Sequence, residues 1–373
     1  MSTNKIAFTD IVGKGPRRWL QLGLVSVLVL VVAACSSSSG SKSSSGTTAD
    51  SSSASGGSST SASSPPVTVH LGYFPNVTHA PALVGVQEGI FAKDLAPDTL
   101  NASQTFTAGP TEMQAVLAGS IDIAFIGPSP AVNGYVQSHG AVRIIAGAAS
   151  AGAALVVKSS ITSPAQLKGT TLASPQLANT QDVALKYWLK TQGLSNSVKV
   201  QPSTTGNGTI VTEFKAGDIA GAWVPEPYVA EMVADGGHIL VNEKSLWPGG
   251  QFPTTEVIVR TSFLQQHPVT VQRFLTGLVD TLSAIQSDPA AAKTATNAQI
   301  EKLTSKPLST SVLTAAWSDL TFTDDPLEAS VQTQTDHAVT VGLLKDPGSL
   351  SGLYDLGPLN AVLSAKGQSP VSS

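Results

Sequence analysis

Two segments of the chain align with each other without a gap, and this repeat constrains the fold more than any other feature. AGSIDIAFI at residues 118–126 matches AGDIAGAWV at residues 216–224. Each copy ends in a proline-rich loop, GPSP at 127–130 and PEPY at 225–228. The repeat favours two lobes of like architecture that offer loops at the carboxyl ends of strands, where open α/β sheets bind ligands. The alternative is that helix, glycine turn and strand recur in any α/β protein.

The surrounding sequence alternates between strand-like and helix-like patterns, which predicts α/β sheets with helical crossovers. Strands are expected at 67–74, 103–108, 121–127, 170–174, 198–203 and 219–224, and helices at 80–91, 111–117, 180–192 and 210–215. The apolar runs 153–160 and 255–262 bracket the second set of elements, so we expect them to be crossing strands between the lobes. From residue 263 onward the pattern is mainly helical, with a long amphipathic helix at 269–286.

The N-terminus has the pattern of a signal peptide. Four basic residues precede an apolar stretch at 19–34 that stops at the sole cysteine, Cys35. The stretch is short for a membrane span and has the size of a signal-peptide core. Residues 32–35, VAAC, resemble a bacterial lipobox, which predicts lipidation of Cys35; a buried free cysteine is the alternative. The adjacent Arg17 and Arg18 leave the export route open between the general and twin-arginine pathways.

Composition separates a tether from a folded body. Residues 36–66 are almost wholly small and polar, as in a flexible linker, whereas the whole chain is 41% hydrophobic and 12% charged. A net charge of -4, with no basic cluster outside the N-terminus, argues against a nucleic-acid partner. If Cys35 carries lipid, the mature chain has no thiol for a disulfide, a metal or a nucleophile.

Four segments in this order resemble the substrate-binding lipoproteins of ABC importers for nitrate, taurine and aliphatic sulfonates. They are GYFPNVTHAPALVGVQEGIFAKDL, AGSIDIAFIGPSPAV, SPQLANTQDVALKYWLKTQGL and AGAWVPEPYV. The group also includes bicarbonate and thiamine-precursor binders. The resemblance covers the chain from about residue 67 to at least Phe263, and it is specific for the family without being specific for a ligand.

The resemblance implies an α/β, two-lobed, periplasmic-binding-protein type II-like fold with two crossing strands as hinge. Its expected parts are a lipoprotein signal peptide at 1–35, a tether at 36–66, lobe 1 at 67–155 and 255–373, and lobe 2 at 156–254. The expected function is to capture a small anionic or zwitterionic ligand, foremost taurine or another aliphatic sulfonate, with nitrate or bicarbonate next. A pyrimidine binder or a desulfinase-like enzyme is the alternative. Expected partners are an ABC permease and ATPase, for a monomer anchored by lipid on the extracytoplasmic face of the membrane.

We expect no enzymatic activity, cofactor or metal, because the desulfinase-like family relies on a cysteine nucleophile and this chain's sole cysteine is assigned to lipid. The sequence shows no GxSxG, HExxH or P-loop motif. The expected ligand-binding residues are those at strand-to-helix breaks and in the two proline-rich loops: Phe74, Asn76, Thr78, His79, Gly127, Ser129, Asn179, Thr180, Gln181, Trp223 and Glu226.

In the first lobe, His79 is expected to donate a hydrogen bond to an oxyanion, or else to bond a neighbouring carbonyl. Thr78 is a candidate cap for the helix at 80–91. Gly127 would allow a close backbone approach, and Ser129 would supply a hydroxyl.

In the second lobe, Asn179 is a candidate helix cap, and the N–H groups of Thr180 and Gln181 are candidates to face the ligand. Trp223 either covers the ligand or packs in the core. Glu226 either meets a ligand ammonium or holds its own loop. Arg143 and Arg260 are candidate counter-charges, whereas Lys186 falls away from the helix N-terminus.

Overall fold

The apolar runs that begin the folded body form strands of one sheet. A computed structural model describes residues 65–372, so the predicted signal peptide, Cys35 and nearly the whole tether lie outside the described residues. The strands, in chain order, are β1 (Thr68–Tyr73), β2 (Thr99–Thr105), β3 (Ile123–Ile126), β4 (Val142–Ala151), β5 (Ala153–Lys158), β6 (Thr171–Ser174), β7 (Lys199–Pro202), β8 (Gly221–Pro225), β9 (Gly237–Asn242), β10 (Pro253–Arg260) and β11 (Leu320–Phe322).

Helices connect these strands and build the C-terminal part of the chain. They are α1 (Ala80–Gln87), α2 (Ile90–Leu95), α3 (Gly109–Leu117), α4 (Pro128–Gln137), α5 (Thr180–Thr191), α6 (Asn207–Ala216), α7 (Tyr228–Ala234), α8 (Thr261–Gln266), α9 (Pro268–Ser287), α10 (Pro289–Thr304), α11 (Thr310–Ser318), α12 (Glu328–Thr340) and α13 (Gly357–Ala365). Short 3₁₀ turns occur at Val77–His79, Pro164–Leu167, Glu243–Leu246 and Pro248–Gly250. Within residues 65–372, no helix is both long and apolar enough to cross a membrane.

The described strands form two mixed sheets, and the five strands of the second match five of the first in spatial order and direction, with β11 an additional edge strand of the first. The first sheet has the order β11-β4-β10-β3-β1-β2, and the second has the order β7-β6-β8-β5-β9. In the first, β1 is parallel to both β2 and β3, and β10 is antiparallel to β3 and β4. In the second, β6 is parallel to β7 and β8, and β5 is antiparallel to β8 and β9. The repeated segments therefore end in β3 and β8, which hold the same place in the two sheets.

The chain passes between the sheets at two points. It leaves the first sheet at Gly152, between β4 and β5, and returns between β9 and β10. The two runs expected to cross between the lobes contain β5 and β10, which directly follow these points. We call the first sheet with its flanking helices the first lobe and the second sheet with its helices the second lobe.

Apolar side chains cover both faces of each sheet. Along β3, Ile123 and Phe125 join the core on one face, whereas Ala124 and Ile126 join the core on the other, as the two-residue period of a strand requires. On the first face, Phe91 of α2 stacks on Phe274 of α9 with ring centroids 4.7 Å apart. The helices thus bury the first sheet from both sides, and only the ends of its strands are left to form a site.

Two predicted elements differ from the structure. The helix expected at 80–91 is divided into α1 and α2 by Gly89, which has a left-handed φ of 68°. The strand expected at 103–108 is β2, which begins at Thr99 and ends at Thr105. β2 lies at the edge of the sheet and is largely half-buried or exposed, so its apolar pattern is weak.

Candidate ligand-binding site

The loop after β1 folds into a buried polar turn. Asn76, Thr78 and His79 are each 2% exposed. The Thr78 hydroxyl donates to Asn76 Oδ1 at 2.8 Å, and the Thr78 carbonyl accepts from the Thr255 hydroxyl of β10 at 3.0 Å. The prediction that Thr78 caps the first helix is wrong, because its hydroxyl bonds Asn76 and α1 begins without a side-chain cap. The turn is instead held against β10.

His79 is held as a neutral imidazole with a defined tautomer. The Phe74 N–H donates to His79 Nδ1 at 3.2 Å, and the two rings stack with centroids 4.3 Å apart. Burial lowers the pKa of His79 to about 3. Because Nδ1 accepts a hydrogen bond, the ring proton lies on Nε2, which is then a donor. The neighbouring group that His79 bonds is an amide N–H rather than the carbonyl considered as the alternative.

The loop after β3 leads directly into α4. Gly127 is the N-cap of α4, with an extended φ of -68°. Ser129 is buried, and its hydroxyl has no hydrogen-bond partner among the described residues. Its side chain also borders a narrow crevice that includes Gln334 of α12. A buried hydroxyl without a partner is unfavourable, so Ser129 is a group that an additional hydrogen-bonding atom would stabilise.

The start of α5 supplies a second buried hydroxyl that lacks a hydrogen-bond partner among the described residues. Asn179 Oδ1 accepts from the Gln181 N–H at 2.8 Å, which confirms the predicted cap. The same bond occupies the Gln181 N–H, so that group is not free to face a ligand. The Thr180 hydroxyl is buried and has no partner among the described residues.

The two helix starts meet at the junction of the lobes. A Cβ placed on Gly127 would lie 2.5 Å from Thr180 Oγ1, so the glycine lets the two loops touch. Nearby, Gln176 Nε2 donates to the Thr111 hydroxyl at 3.2 Å across the same junction. The structure thus brings Gly127 and Thr180, from opposite lobes, into one site. Helix N-termini carry partial positive charge and free N–H groups, which suits an anionic head group.

Glu226 directly follows β8 on the second lobe and is 3% exposed. Its Oε2 accepts from the Ala230 N–H at 3.1 Å, and its own N–H donates to the Gly152 carbonyl at 2.8 Å. Burial, with smaller contributions from the nearby Asp319 and Glu231, raises the pKa of Glu226 to about 8. Glu226 therefore binds to Gly152, where the chain passes from the first sheet to the second. This agrees with the alternative that Glu226 holds its own loop.

Trp223 lies in the core of the second sheet. Its side chain is fully buried, packs near Trp188 with ring centroids 6.1 Å apart, and donates its indole N–H to Glu243 Oε2 at 2.6 Å. These contacts match the packing alternative, since neither the ring nor its one donor is left for a ligand in this arrangement.

The basic residues considered as counter-charges are engaged elsewhere. Arg260 pairs with Asp122, just before β3, at the end of the sheet opposite Gly127. Arg143 donates to the carbonyls of Gly140 and Val142 near that same end. Lys186 pairs with Asp182 within α5 at 2.8 Å. Recognition of an anion would therefore depend on helix N-termini, hydroxyls and N–H groups rather than on these three side chains.

Two buried carboxyl groups beside the site were missed by the sequence reasoning. Glu112 in α3 and Glu256 in β10 are both fully buried, and neither carboxyl group has a partner among the described residues. Burial raises the pKa of each well above its usual value and so favours the neutral acid over the carboxylate. Glu256 could have been noticed as the acidic residue inside an otherwise apolar strand, TEVIV.

The fold has known counterparts. The model of the NMT1-like family matches residues 62–300. The chain belongs to the NMT1-like family. One relative, the taurine-binding periplasmic protein of Escherichia coli K12, is 30% identical over 214 residues, which span 56% of this chain and 64% of that protein. The match thus covers somewhat less than two thirds of that relative's length.

Solved structures show the same fold at low sequence identity. The alkanesulfonate-binding protein SsuA from Xanthomonas axonopodis pv. citri, bound to MOPS, has a TM-score of 0.66 at 18% identity and covers 78% of this chain and 99% of its own. The nitrate-binding protein NrtA from Synechocystis PCC 6803 has a TM-score of 0.68 at 16% identity, covering 80% and 89%. This NMT1-like chain therefore has the expected two-lobed periplasmic-binding-protein fold.

Proposed function

We propose that this NMT1-like protein is an extracytoplasmic solute-binding protein of an ABC importer. It captures a small anionic or zwitterionic ligand between its lobes and delivers it to a permease. Taurine or another aliphatic sulfonate is the foremost ligand, followed by nitrate and bicarbonate. The proposal includes a monomer held at the membrane by lipid on Cys35.

One observation carries the proposal. The N-termini of α4 and α5 come from opposite lobes and touch through Gly127 and Thr180, and each begins beside a buried hydroxyl that lacks a partner among the described residues. A tetrahedral or planar oxyanion at this junction would accept hydrogen bonds from both lobes at once. A ligand that contacts both lobes favours the closed arrangement, which is how hinged binding proteins select their ligands.

The taurine-binding relative and Glu226 together favour a zwitterion over a simple anion. A buried carboxylate beside an anion is unfavourable unless a cation accompanies it. Taurine carries both a sulfonate and an ammonium group, so its ammonium would offset the charge of Glu226 while the sulfonate meets the helix N-termini. Since the pKa of Glu226 is raised to about 8, taurine binding near pH 7 would release a proton from Glu226.

A thermal-shift and calorimetry series on the purified protein tests this proposal. The series contains taurine, ethanesulfonate, nitrate, bicarbonate and a hydroxymethylpyrimidine. A true ligand at 100 times its Kd stabilises the folded state by about 2.7 kcal/mol, which is readily detected as a raised melting temperature. If no anion or zwitterion raises the melting temperature, the ligand class is wrong; a response to the pyrimidine alone favours the thiamine-precursor alternative.

A matched pair of variants tests the role of Glu226. Glu226→Gln should weaken taurine binding and leave ethanesulfonate binding unchanged, because only taurine carries an ammonium group. Glu213→Gln, on helix α6 of the same lobe, is the control and should alter neither, because Glu213 does not contribute to the raised pKa of Glu226. Equal losses for both sulfonates in Glu226→Gln would show that Glu226 acts on the loop rather than on the ligand. Turnover of any sulfonate or sulfinate would instead support the enzyme alternative.

A further inference from the structure

A cavity lies beside the later turns of α5, away from the N-terminus of that helix. Its volume is about 470 Å³, within the range of small-molecule sites. Three parts of the chain line it: the second half of α5, the connection from β9 to β10, and α12. Its main side chains are Tyr187, Trp188, Glu243, Leu246, Trp247 and His337. Since α5 begins at Thr180, one helix contributes its N-terminus to the first site and its later turns to this cavity.

Aromatic rings from all three parts converge on the cavity. Tyr187 of α5 and His337 of α12 stack with centroids 3.5 Å apart and an interplanar angle of 12°. The ring centroid of Trp247, in the connection, lies 5.7 Å from that of His337 at an interplanar angle of 43°, and the Trp247 ring also stacks on Phe252. Ring faces carry negative electrostatic potential and attract cations placed over them within about 6 Å.

The cavity also contains a buried carboxyl group. Glu243 is 2% exposed and borders the cavity, and its Oε2 accepts the indole N–H of Trp223 at 2.6 Å. Burial raises its pKa to about 7, while the hydrogen bond from Trp223 opposes that rise. A carboxylate accepts about four hydrogen bonds, so the bond from Trp223 leaves lone pairs for a positively charged group.

In the described part of the chain, the remaining lining carries no positive charge to attract an anion. None of the described residues that line the cavity is lysine or arginine. The hydroxyls of Thr191, Ser330 and Thr333 each donate to a backbone carbonyl, at 2.8, 3.2 and 2.9 Å. Burial lowers the pKa of His337, which keeps that ring uncharged near neutral pH. The charge in this cavity is thus opposite in sign to that at the helix N-termini.

We propose that this aromatic cavity is a second ligand site that binds a small organic cation, an ammonium group bearing apolar substituents. The rings of Tyr187, Trp247 and His337 surround the substituents, and the Glu243 carboxylate offsets the charge. Because α5 and α12 belong to different lobes, the bound cation contacts both.

The test compares a cation with a neutral molecule of the same shape. Choline and benzyltrimethylammonium are titrated into the full chain by calorimetry and tryptophan fluorescence, against 3,3-dimethyl-1-butanol, the uncharged isostere of choline. We expect choline to bind about 10-fold or more tightly than the isostere. Equal affinities for choline and the isostere, or binding of neither cation at millimolar concentration, would overturn the proposal.

Two tryptophan variants test whether the cation binds in this cavity. Trp247→Leu should weaken choline binding about 10-fold. Trp317→Leu is the matched control, since Trp317 packs against Phe322, with ring centroids 4.8 Å apart, and does not line the cavity. Taurine binding by both variants reports that they fold, and a melting curve does so if taurine is not a ligand. Choline binding that is unchanged by Trp247→Leu would place the cation outside this cavity and refute the proposal.

Discussion

Adding one methyl group to Gly127 should weaken ligand binding without disturbing the local backbone. Gly127 has a φ of -68°, which alanine adopts without strain. The new Cβ would lie 2.5 Å from Thr180 Oγ1, but 3.6 Å from Thr180 Cβ and 3.7 Å from Pro130 Cδ. Only the contact with the Thr180 hydroxyl is too short, and that contact joins the two lobes. Gly127→Ala should therefore act on lobe closure and not on the fold of either lobe.

The magnitude follows from the cost of overpacking a well-filled interior. Inserting a methyl group where nothing can move costs about 1–3 kcal/mol. Applied to the closed state alone, this penalty weakens binding by about 5- to 150-fold, since 1.4 kcal/mol is a factor of 10 in Kd. Rotation of the Thr180 side chain relieves part of the overlap, so we expect a value in the lower half of that range. Isothermal titration calorimetry with the ligand identified by the thermal-shift series measures the change.

Two further variants make the test specific. Gly208→Ala, in α6, is the matched control, because a Cβ on Gly208 meets nothing within 4 Å. It should leave the affinity unchanged. Thr180→Ala removes the atom that overlaps the new methyl group, so Gly127→Ala should cost clearly less in that background. The reasoning is refuted if Gly127→Ala leaves the affinity unchanged, or if it costs as much in the Thr180→Ala background as it does when Thr180 is present.

Four other predictions use separate measurements. Ser129→Ala removes a buried hydroxyl without a partner among the described residues. It should raise the free energy of unfolding of the ligand-free protein by about 1 kcal/mol in urea denaturation and should weaken ligand binding. The control is Thr281→Ala, which should lower stability because the Thr281 hydroxyl donates to a carbonyl at 2.7 Å. Glu226 has a folded pKa raised to about 8, so its contribution to stability is full below pH 4.5 and is lost as pH rises to 8. Glu226→Gln should flatten that decline, and an unchanged slope would exclude Glu226 as its source. His79 has a pKa of about 3, so its ring resonances in NMR should not titrate above about pH 5; a midpoint near 6.5 would show that the ring is exposed. Cys35→Ala should release the protein from membranes in a fractionation assay, and continued attachment would exclude lipidation at Cys35 as the anchor.

Local sequence pattern was sufficient for the strands that carry the site. The repeat at 118–126 and 216–224 led to β3 and β8, which occupy corresponding places in the two sheets. This succeeded because central strands are buried on both faces and are apolar throughout. The cap at Asn179 was also recognised, since a cap is formed by residues two or three apart.

Roles that depend on distant contacts were not resolved by sequence. The sequence around Trp223 is the same whether its ring faces a ligand or a core. The structure shows that the Trp223 indole N–H donates to Glu243, 20 residues later, which places the ring in the core. Thr78 was expected to cap a helix, but its hydroxyl bonds Asn76 and its carbonyl bonds Thr255. These outcomes depend on which groups lie nearest in space.

The sequence by itself determined the α/β class, the repeated strand and loop, and the positions where small polar residues follow strands, because these features arise from periodicity and short-range hydrogen bonding. Only the tertiary structure decided that Gly127 and Thr180 touch across the lobes, and that Tyr187, Trp247 and His337 gather around one cavity. Such contacts join residues far apart in the chain, and no local preference specifies them. They result from packing two lobes and a C-terminal helix against one another, which buries apolar surface from all three.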